Sequence, residues 1–217
     1  MCCLFGFVDY AGSLSTKQKN RLIRELSIAA EARGTDATGI AYNTSRGLQI
    51  YKRPLAAHRL HLRIPAEAHV VMGHTRMTTQ GSAKKNYNNH PFFGCVKGKR
   101  FALAHNGIVW NDLELRRTKH LPRTKVQTDS FIAVQLIEQQ KDLNLSSLKC
   151  MAEQVEGSFS FSVLSEQDEL WLVKGDNPLT IVHFPAVGVF VYASTAEILN
   201  KALARCGNWL GREEKGN

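Results

Sequence analysis

The chain has 217 residues, which is enough for one well-filled core and does not require a second domain. No stretch approaches the roughly 20 apolar residues of a membrane span. The opening apolar run also lacks the basic residues that precede it in a signal peptide. We therefore expect a single cytoplasmic domain over residues 1–217 that makes no membrane contact.

The net charge of +9 includes a dense basic stretch between Arg116 and Lys125. A basic patch of this kind can bind nucleic acid or an acidic protein. No interleaved aromatic residues and no known nucleic-acid module accompany the charge, so we interpret the stretch as a solvated loop and do not expect nucleic acid. As a binding surface it would favour an acidic partner subunit.

The five cysteines are odd in number and scattered, without C-x-x-C spacing. This argues against a disulfide framework and against a structural zinc site, and it favours a reducing compartment. We expect neither a metal ion nor an organic cofactor.

The predicted elements alternate short strands with a few helices. The first strand covers residues 2–8, and a helix follows from Ser15, with Gln18 completing a capping-box pattern and Gly34 as the stop. Further helices are predicted from about residue 128, over residues 148–155, and from the cap at 194–197 to about residue 206. Strands are predicted over residues 38–42, 48–52, 68–74, 101–105, 158–164, 170–174, 180–184 and 188–193, with a polar tail from about 211. This order favours an α+β domain with two sheets packed face to face.

Cys2 is the first candidate for chemistry. Trimming of Met1 would leave a thiol and a free α-amine on one residue, and these can serve as nucleophile and base for attack on a carbonyl. The α-amine has a reference pKa of about 7.7 to 8, close to the operating pH. The alternative is an ordinary buried cysteine, and we interpret Cys3 in that way because alternation turns it to the opposite face.

Three further groups are candidates for binding or for stabilising charge. Arg76 leaves a predicted strand and can grip a carboxylate with two parallel hydrogen bonds, and Thr79 can add a hydroxyl contact. Asn106 and Gly107 can form an oxyanion hole, although Asn-Gly between apolar runs also predicts a hairpin turn. Asp129 can bind an ammonium group or act only as a first-turn helix carboxylate.

Taken together, the motifs resemble the class II glutamine amidotransferases, the N-terminal-nucleophile glutaminase domains found in glucosamine-6-phosphate synthase and amidophosphoribosyltransferase. The matching stretches keep the family's order across almost the whole chain: Met1-Cys2, RGTDATG, GHTRMTTQG, NNHPF, HNGIVWN, TDS, GSFSFSVL and YASTAEIL. Three positions depart from the family pattern: Cys3 follows the nucleophile, Met77 stands where an aromatic is usual, and Phe131 follows TDS.

The resemblance implies a four-layer αββα sandwich of two mainly antiparallel sheets. It implies Cys2 as the nucleophile, with Asn106 and Gly107 as the oxyanion hole. It also implies that Arg76 and Thr79 bind the α-carboxylate of glutamine and that Asp129 binds its α-ammonium. Residues beside the active site would have a supporting role, namely Arg33, Asp36, His74 and His90.

The implied reaction is hydrolysis of L-glutamine to glutamate and ammonia through a γ-glutamyl thioester. The matched motifs leave no room for an ammonia-accepting domain, so we expect a separate synthase or transferase subunit and leave self-association open. Two alternatives stay open. One is an amidase or acylase with the same nucleophile that acts on another γ-glutamyl or amino-acid amide, and the other is a catalytically silent binding module.

Overall fold

The computed structural model of the chain describes residues 2–211 and 214–215. The described residues form five α-helices: α1 Thr16–Ala30, α2 Asp112–Thr118, α3 Phe131–Gln139, α4 Leu145–Gln154 and α5 Ala196–Cys206. They also form eleven strands: β1 Cys3–Asp9, β2 Ala37–Thr44, β3 Gly47–Arg53, β4 Val70–Arg76, β5 Phe92–Val96, β6 Lys99–Val109, β7 Gly157–Ser165, β8 Leu170–Lys174, β9 Thr180–Phe184, β10 Val189–Ala193 and β11 Glu214–Lys215.

The strands build two sheets. The first has the order β11-β9-β10-β1-β4-β2-β3, and the second has the order β5-β6-β7-β8. All neighbouring strands are antiparallel. The predicted α+β class with two antiparallel sheets is therefore confirmed.

Three apolar clusters define the layers. The first packs α1 and α5 on the outer face of the larger sheet, and the second packs α3 and α4 on the outer face of the smaller sheet. The third lies between the sheets and contains Leu4, Met72, Ala104 and Leu164, which come from β1, β4, β6 and β7. This arrangement is the four-layer αββα sandwich that the family resemblance implied.

Local signals explain where two of the helices begin. The Ser15 side chain accepts from the Gln18 backbone N–H, and the Gln18 side chain accepts from the Ser15 backbone N–H, which is the predicted capping box. Asn144 and Ser147 form a second capping box at the start of α4. The apolar stripe of α1, including Leu22 and Leu26, is fully buried against the larger sheet.

Several elements differ from the sequence prediction. Part of the basic stretch is helix α2 rather than a loop, and Arg116 in it is half-buried. The helix expected from about residue 128 begins at Phe131, and strand β5 was not predicted. The predicted polar tail falls largely outside the described residues, but Glu214–Lys215 pairs with β9.

Strand alternation sets up the polar end of the layer between the sheets. Successive side chains point to opposite faces of a sheet, so Cys3 packs with the α1 and α5 layer while Leu4 faces the second sheet. The same alternation in β4 puts His74 and Arg76 on the side of Met72. In β6 it puts Asn106 on the side of Ala104.

Candidate active site

Cys2 lies immediately before β1, beside the loop that follows β4. Its thiol donates to the Met77 carbonyl oxygen at 3.6 Å, and its own carbonyl oxygen accepts from Arg33 Nε at 2.9 Å. Burial raises the pKa of the Cys2 thiol, the charge of Arg76 lowers it, and the charge of Asp129 raises it. A thiol whose pKa is raised needs a base to become a nucleophile.

The segment between α1 and β2 ties the candidate nucleophile to the loop after β4. Besides the Arg33 contact with Cys2, the Asp36 carboxylate accepts from the Thr78 backbone N–H at 2.7 Å. The Asp36 backbone N–H donates to the Arg76 carbonyl oxygen at 2.9 Å. These contacts hold Arg33 and Asp36 against Cys2 and the loop after β4.

Arg76 is the last residue of β4 and is 3% exposed. Its guanidinium donates from Nη1 to Asn89 Oδ1 at 2.7 Å and from Nη2 to the Gln80 carbonyl oxygen at 2.5 Å. Burial lowers the pKa of Arg76, and the charges of Cys2, Asp36 and Asp129 oppose that change. The hydrogen bonds fix the direction of the guanidinium, whereas Thr79 is exposed in the following loop.

Asp129 lies two residues before α3 and is buried. Its Oδ2 accepts from the Val109 backbone N–H at 2.7 Å, and its own backbone N–H donates to Gln80 Oε1 at 2.6 Å. Burial raises the pKa of the Asp129 carboxyl, and hydrogen bonds led by that from Val109 oppose the change. Gln80 therefore joins Arg76 to Asp129, a link that the sequence analysis did not identify.

Asn106 and Gly107 lie inside β6, so their interpretation as a hairpin turn is wrong. Asn106 pairs with Ser160, and Gly107 pairs with Phe159. Gly107 has a φ of 148°, and a Cβ at this position would overlap the Ser158 carbonyl oxygen. Only glycine fits this backbone without strain.

Buried histidine side chains lie near Arg76. The His74 and His90 rings are 4.1 Å apart, and His74 Nε2 donates to the His105 carbonyl oxygen at 3.0 Å. Burial lowers the pKa of His74 and of His105 to about 3, and it holds the pKa of His90 well below its ordinary value. These histidines are neutral supports near the site.

Lys52 in β3 is a further support that sequence reasoning missed. Its ammonium donates to the carbonyl oxygens of Asn89 at 2.5 Å and Pro91 at 2.9 Å. Burial lowers the pKa of Lys52 to about 8. Asn89 in turn holds Arg76, so Lys52 anchors the loop that orients the guanidinium. No local pattern marks this lysine, because its partners lie 37 and 39 residues away.

The structure thus brings the predicted residues to one end of the layer between the sheets. Cys2, Arg76 and Asp129 influence one another electrostatically. Arg33, Asp36, His74 and His90 surround or support them, and Asn106 lies on the facing strand of the second sheet.

A family described as the glutamine amidotransferase domain matches residues 74–201. Curated relatives include the glutamine–fructose-6-phosphate aminotransferase (isomerizing) of Sulfurisphaera tokodaii, which is 29% identical over 83% of this chain and 31% of that protein. The protein of the same name from Halalkalibacterium halodurans is 30% identical over 88% of this chain and 32% of its own length. The chain thus spans about a third of the length of these relatives.

Among solved structures, the glutamine phosphoribosylpyrophosphate amidotransferase from B. subtilis matches with a TM-score of 0.70 at 18% identity. The match covers 93% of this chain and 43% of that one. At this identity the likeness concerns the fold alone. The chain belongs to the class II glutamine amidotransferase domain family. The predicted family and enzyme class are confirmed.

Within residues 2–211 and 214–215, no helix combines the length and apolar character that crossing a membrane would require.

Proposed function

We propose that this domain hydrolyses L-glutamine to glutamate and ammonia, with Cys2 as an N-terminal nucleophile. The observation that carries the proposal is the grouping of Cys2, Arg76 and Asp129 around the loop after β4, at one end of the layer between the sheets. The Cys2 thiol donates to the Met77 carbonyl oxygen, and the Arg76 guanidinium and the Asp129 backbone N–H both donate to Gln80. A thiol, a cation and an anion are the set required to attack and hold an amino-acid amide.

The reaction requires that Met1, which lies outside the described residues, has first been removed. The freed α-amine of Cys2 takes the thiol proton, directly or through water, and Sγ attacks the side-chain amide carbon of glutamine. The carbonyl π electrons move to oxygen, and the oxyanion is held by Asn106 and Gly107. When the intermediate collapses, the C–N bond breaks, the nitrogen takes up the proton, and ammonia leaves a γ-glutamyl thioester on Cys2.

Water completes the cycle. The α-amine accepts a proton from water as its oxygen attacks the thioester carbon, and a second oxyanion forms in the same position. The C–S bond then breaks, the thiol recovers its proton and glutamate is released. Throughout, the Arg76 guanidinium and the Thr79 hydroxyl hold the α-carboxylate and Asp129 holds the α-ammonium, so the amide is positioned before bond breaking.

We further propose that the ammonia passes to a separate synthase or transferase subunit in the cytoplasm. Support comes from the curated relatives, which are named as aminotransferases and match this chain over about a third of their length. The acceptor reaction would thus lie outside the sequence matched here. Co-purification from the native host should recover this subunit, and repeated recovery of an active monomer alone would contradict this part of the proposal.

The proposal is tested by assaying glutamate release with Cys2→Ala and, as a matched control, Cys3→Ala, alongside the intact masses. Loss of the nucleophile should reduce turnover by at least about a thousandfold, whereas Cys3→Ala should remain active. The mass of active wild type should lack Met1. Full activity of Cys2→Ala, or of a protein that retains Met1, would refute the mechanism. A panel of other amino-acid amides separates a glutaminase from a broader amidase.

A further inference from the structure

Among the described residues, the side-chain amide of Asn106 has one polar atom with a hydrogen-bond partner and one without. Asn106 is fully buried, its Nδ2 lies 3.3 Å from Ser194 Oγ, and its Oδ1 makes no hydrogen bond within the described part of the chain. Leaving a buried amide oxygen without a donor is energetically unfavourable. The contact also directs the Nδ2 donor at protein, although an oxyanion hole needs it directed at substrate.

Ser194 is the residue at the other end of this contact. It is fully buried between β10 and α5, and its Oγ accepts from the Leu4 backbone N–H at 2.8 Å. A hydroxyl carries one hydrogen of its own to donate. With Asn106 Nδ2 as a second donor, that hydrogen is left facing the Cys3 sulfur, which is a weak acceptor.

The main chain of Asn106 is held independently of its amide. The Asn106 carbonyl oxygen accepts from Asn177 Nδ2 at 2.7 Å, and Ser160 Oγ donates to the Asn177 carbonyl oxygen at 2.8 Å. Asn106 also pairs with Ser160 in the sheet. The strand is therefore fixed, and the remaining choice is which end of the amide faces Ser194. Oxygen and nitrogen of an amide have nearly the same shape, so this choice is decided by hydrogen bonding.

We propose that Ser194 is the positioning residue that sets the direction of the Asn106 amide for catalysis. Its hydroxyl donates to Asn106 Oδ1, and this turns Nδ2 away from Ser194 and toward the oxyanion that forms on glutamine. The arrangement gives the amide oxygen a donor, gives the serine hydrogen a strong acceptor and keeps the Leu4 contact. The inference rests on the proposed glutaminase function, because that function requires Asn106 to donate.

The predicted consequence is specific to turnover. Without the hydroxyl, no hydrogen bond from residue 194 holds Nδ2 on the substrate side. Loss of an oxyanion-hole donor typically lowers kcat by about 100- to 1,000-fold. Because the amide can still reach the productive direction part of the time, we expect Ser194→Ala to lower kcat about 10- to 100-fold. KM should stay within about twofold, because Arg76 and Asp129 are untouched.

The matched control is Ser27→Ala, which removes another buried serine hydroxyl. Ser27 lies on α1, on the outer face of the larger sheet, and donates to the Arg24 carbonyl oxygen at 2.8 Å. It should leave kcat unchanged. An unchanged kcat in Ser194→Ala would overturn the proposal.

A second readout separates the amide from the nucleophile, because Ser194 also supports Leu4, two residues after Cys2. The rate of Cys2 alkylation by iodoacetamide, followed on the Cys2 peptide by mass spectrometry, reports the thiol itself. The proposal expects wild-type alkylation together with reduced kcat. If the alkylation rate and kcat fall in parallel, the proposal is wrong, and the variant has instead displaced β1 together with Cys2.

Neutron diffraction from deuterated wild-type crystals tests the same point without a variant and without turnover. We expect the Ser194 hydroxyl deuteron to point at Asn106 Oδ1 and the Asn106 deuterons to point away from Ser194. Amide deuterons on the Ser194 side would overturn the inference. This result does not depend on whether the Ser194→Ala variant folds. The glutaminase function is judged separately by Cys2→Ala, so failure of one claim is distinguishable from failure of the other.

Discussion

The two faces of strand β1 carry different kinds of residue. On the face toward α1 and α5, the side chains of Cys3, Phe5 and Phe7 are all fully buried in an apolar cluster. On the face toward the second sheet, Leu4 packs against the interior, and one position before the strand Cys2 is only half-buried beside Met77. Adjacent thiols therefore have different surroundings, because one backbone step reverses the face.

The difference extends to the charge around each thiol. Burial raises the pKa of Cys3 to about 11, so this thiol stays protonated and packs as a small apolar side chain. Burial also raises the pKa of Cys2. The charge of Arg76 lowers this pKa, whereas the charge of Asp129 raises it. Polar chemistry is thus confined to the end of the layer between the sheets, where loops supply hydrogen bonds.

The largest expected effect concerns pH, since the neutral histidines near this site should make stability acid-sensitive. The folded pKa values of His74 and His105 are about 3, below the ordinary 6.5. Their contribution is therefore complete above about pH 6.5 and is lost as the pH falls toward 3. Each should lower the free energy of unfolding by about 1.4 kcal/mol per pH unit within that window.

Urea unfolding between pH 7 and pH 4 measures this slope. His105→Gln should make the slope shallower by about one such histidine, whereas His61→Gln, on the exposed surface, is the matched control and should leave it unchanged. Equal slopes for wild type and His105→Gln would show that burial of a neutral His105 does not contribute to the acid sensitivity.

A smaller effect is expected at the carboxylate-binding end. Arg76→Lys keeps the charge but loses the planar fork that contacts Asn89 and Gln80. We expect KM for glutamine to rise about 100-fold, equivalent to about 2.7 kcal/mol, with a smaller change in kcat. Steady-state kinetics gives both values. The exposed Arg117→Lys provides the control, and an unchanged KM in Arg76→Lys would assign carboxylate binding elsewhere.

The smallest effect is expected on the helix-facing side of β1. Cys3→Ala removes one buried sulfur from a packed cluster, so the free energy of unfolding should fall by about 1 to 2 kcal/mol. Turnover per folded molecule should stay within about twofold of wild type. Urea unfolding and the glutaminase assay give the two numbers. A large loss of turnover with little loss of stability would reverse the roles assigned to the two faces.

The sequence by itself determined most elements, because their signals are local. The capping box at Ser15 and the apolar stripe behind it predict α1, and the strands over residues 170–174 and 180–184 were predicted with the observed bounds. The order of the motifs identified the family.

The tertiary structure decided what depends on partners distant in sequence. Asn106-Gly107 is a favoured turn locally, yet it lies in a strand because β6 pairs with β7 around it. Lys52 reaches Arg76 through Asn89, and Ser194 meets Asn106 across 88 residues. Local patterns carry backbone preference and periodicity, but strand register and sheet packing determine which polar atoms meet. The contacts that orient this site therefore required the folded chain.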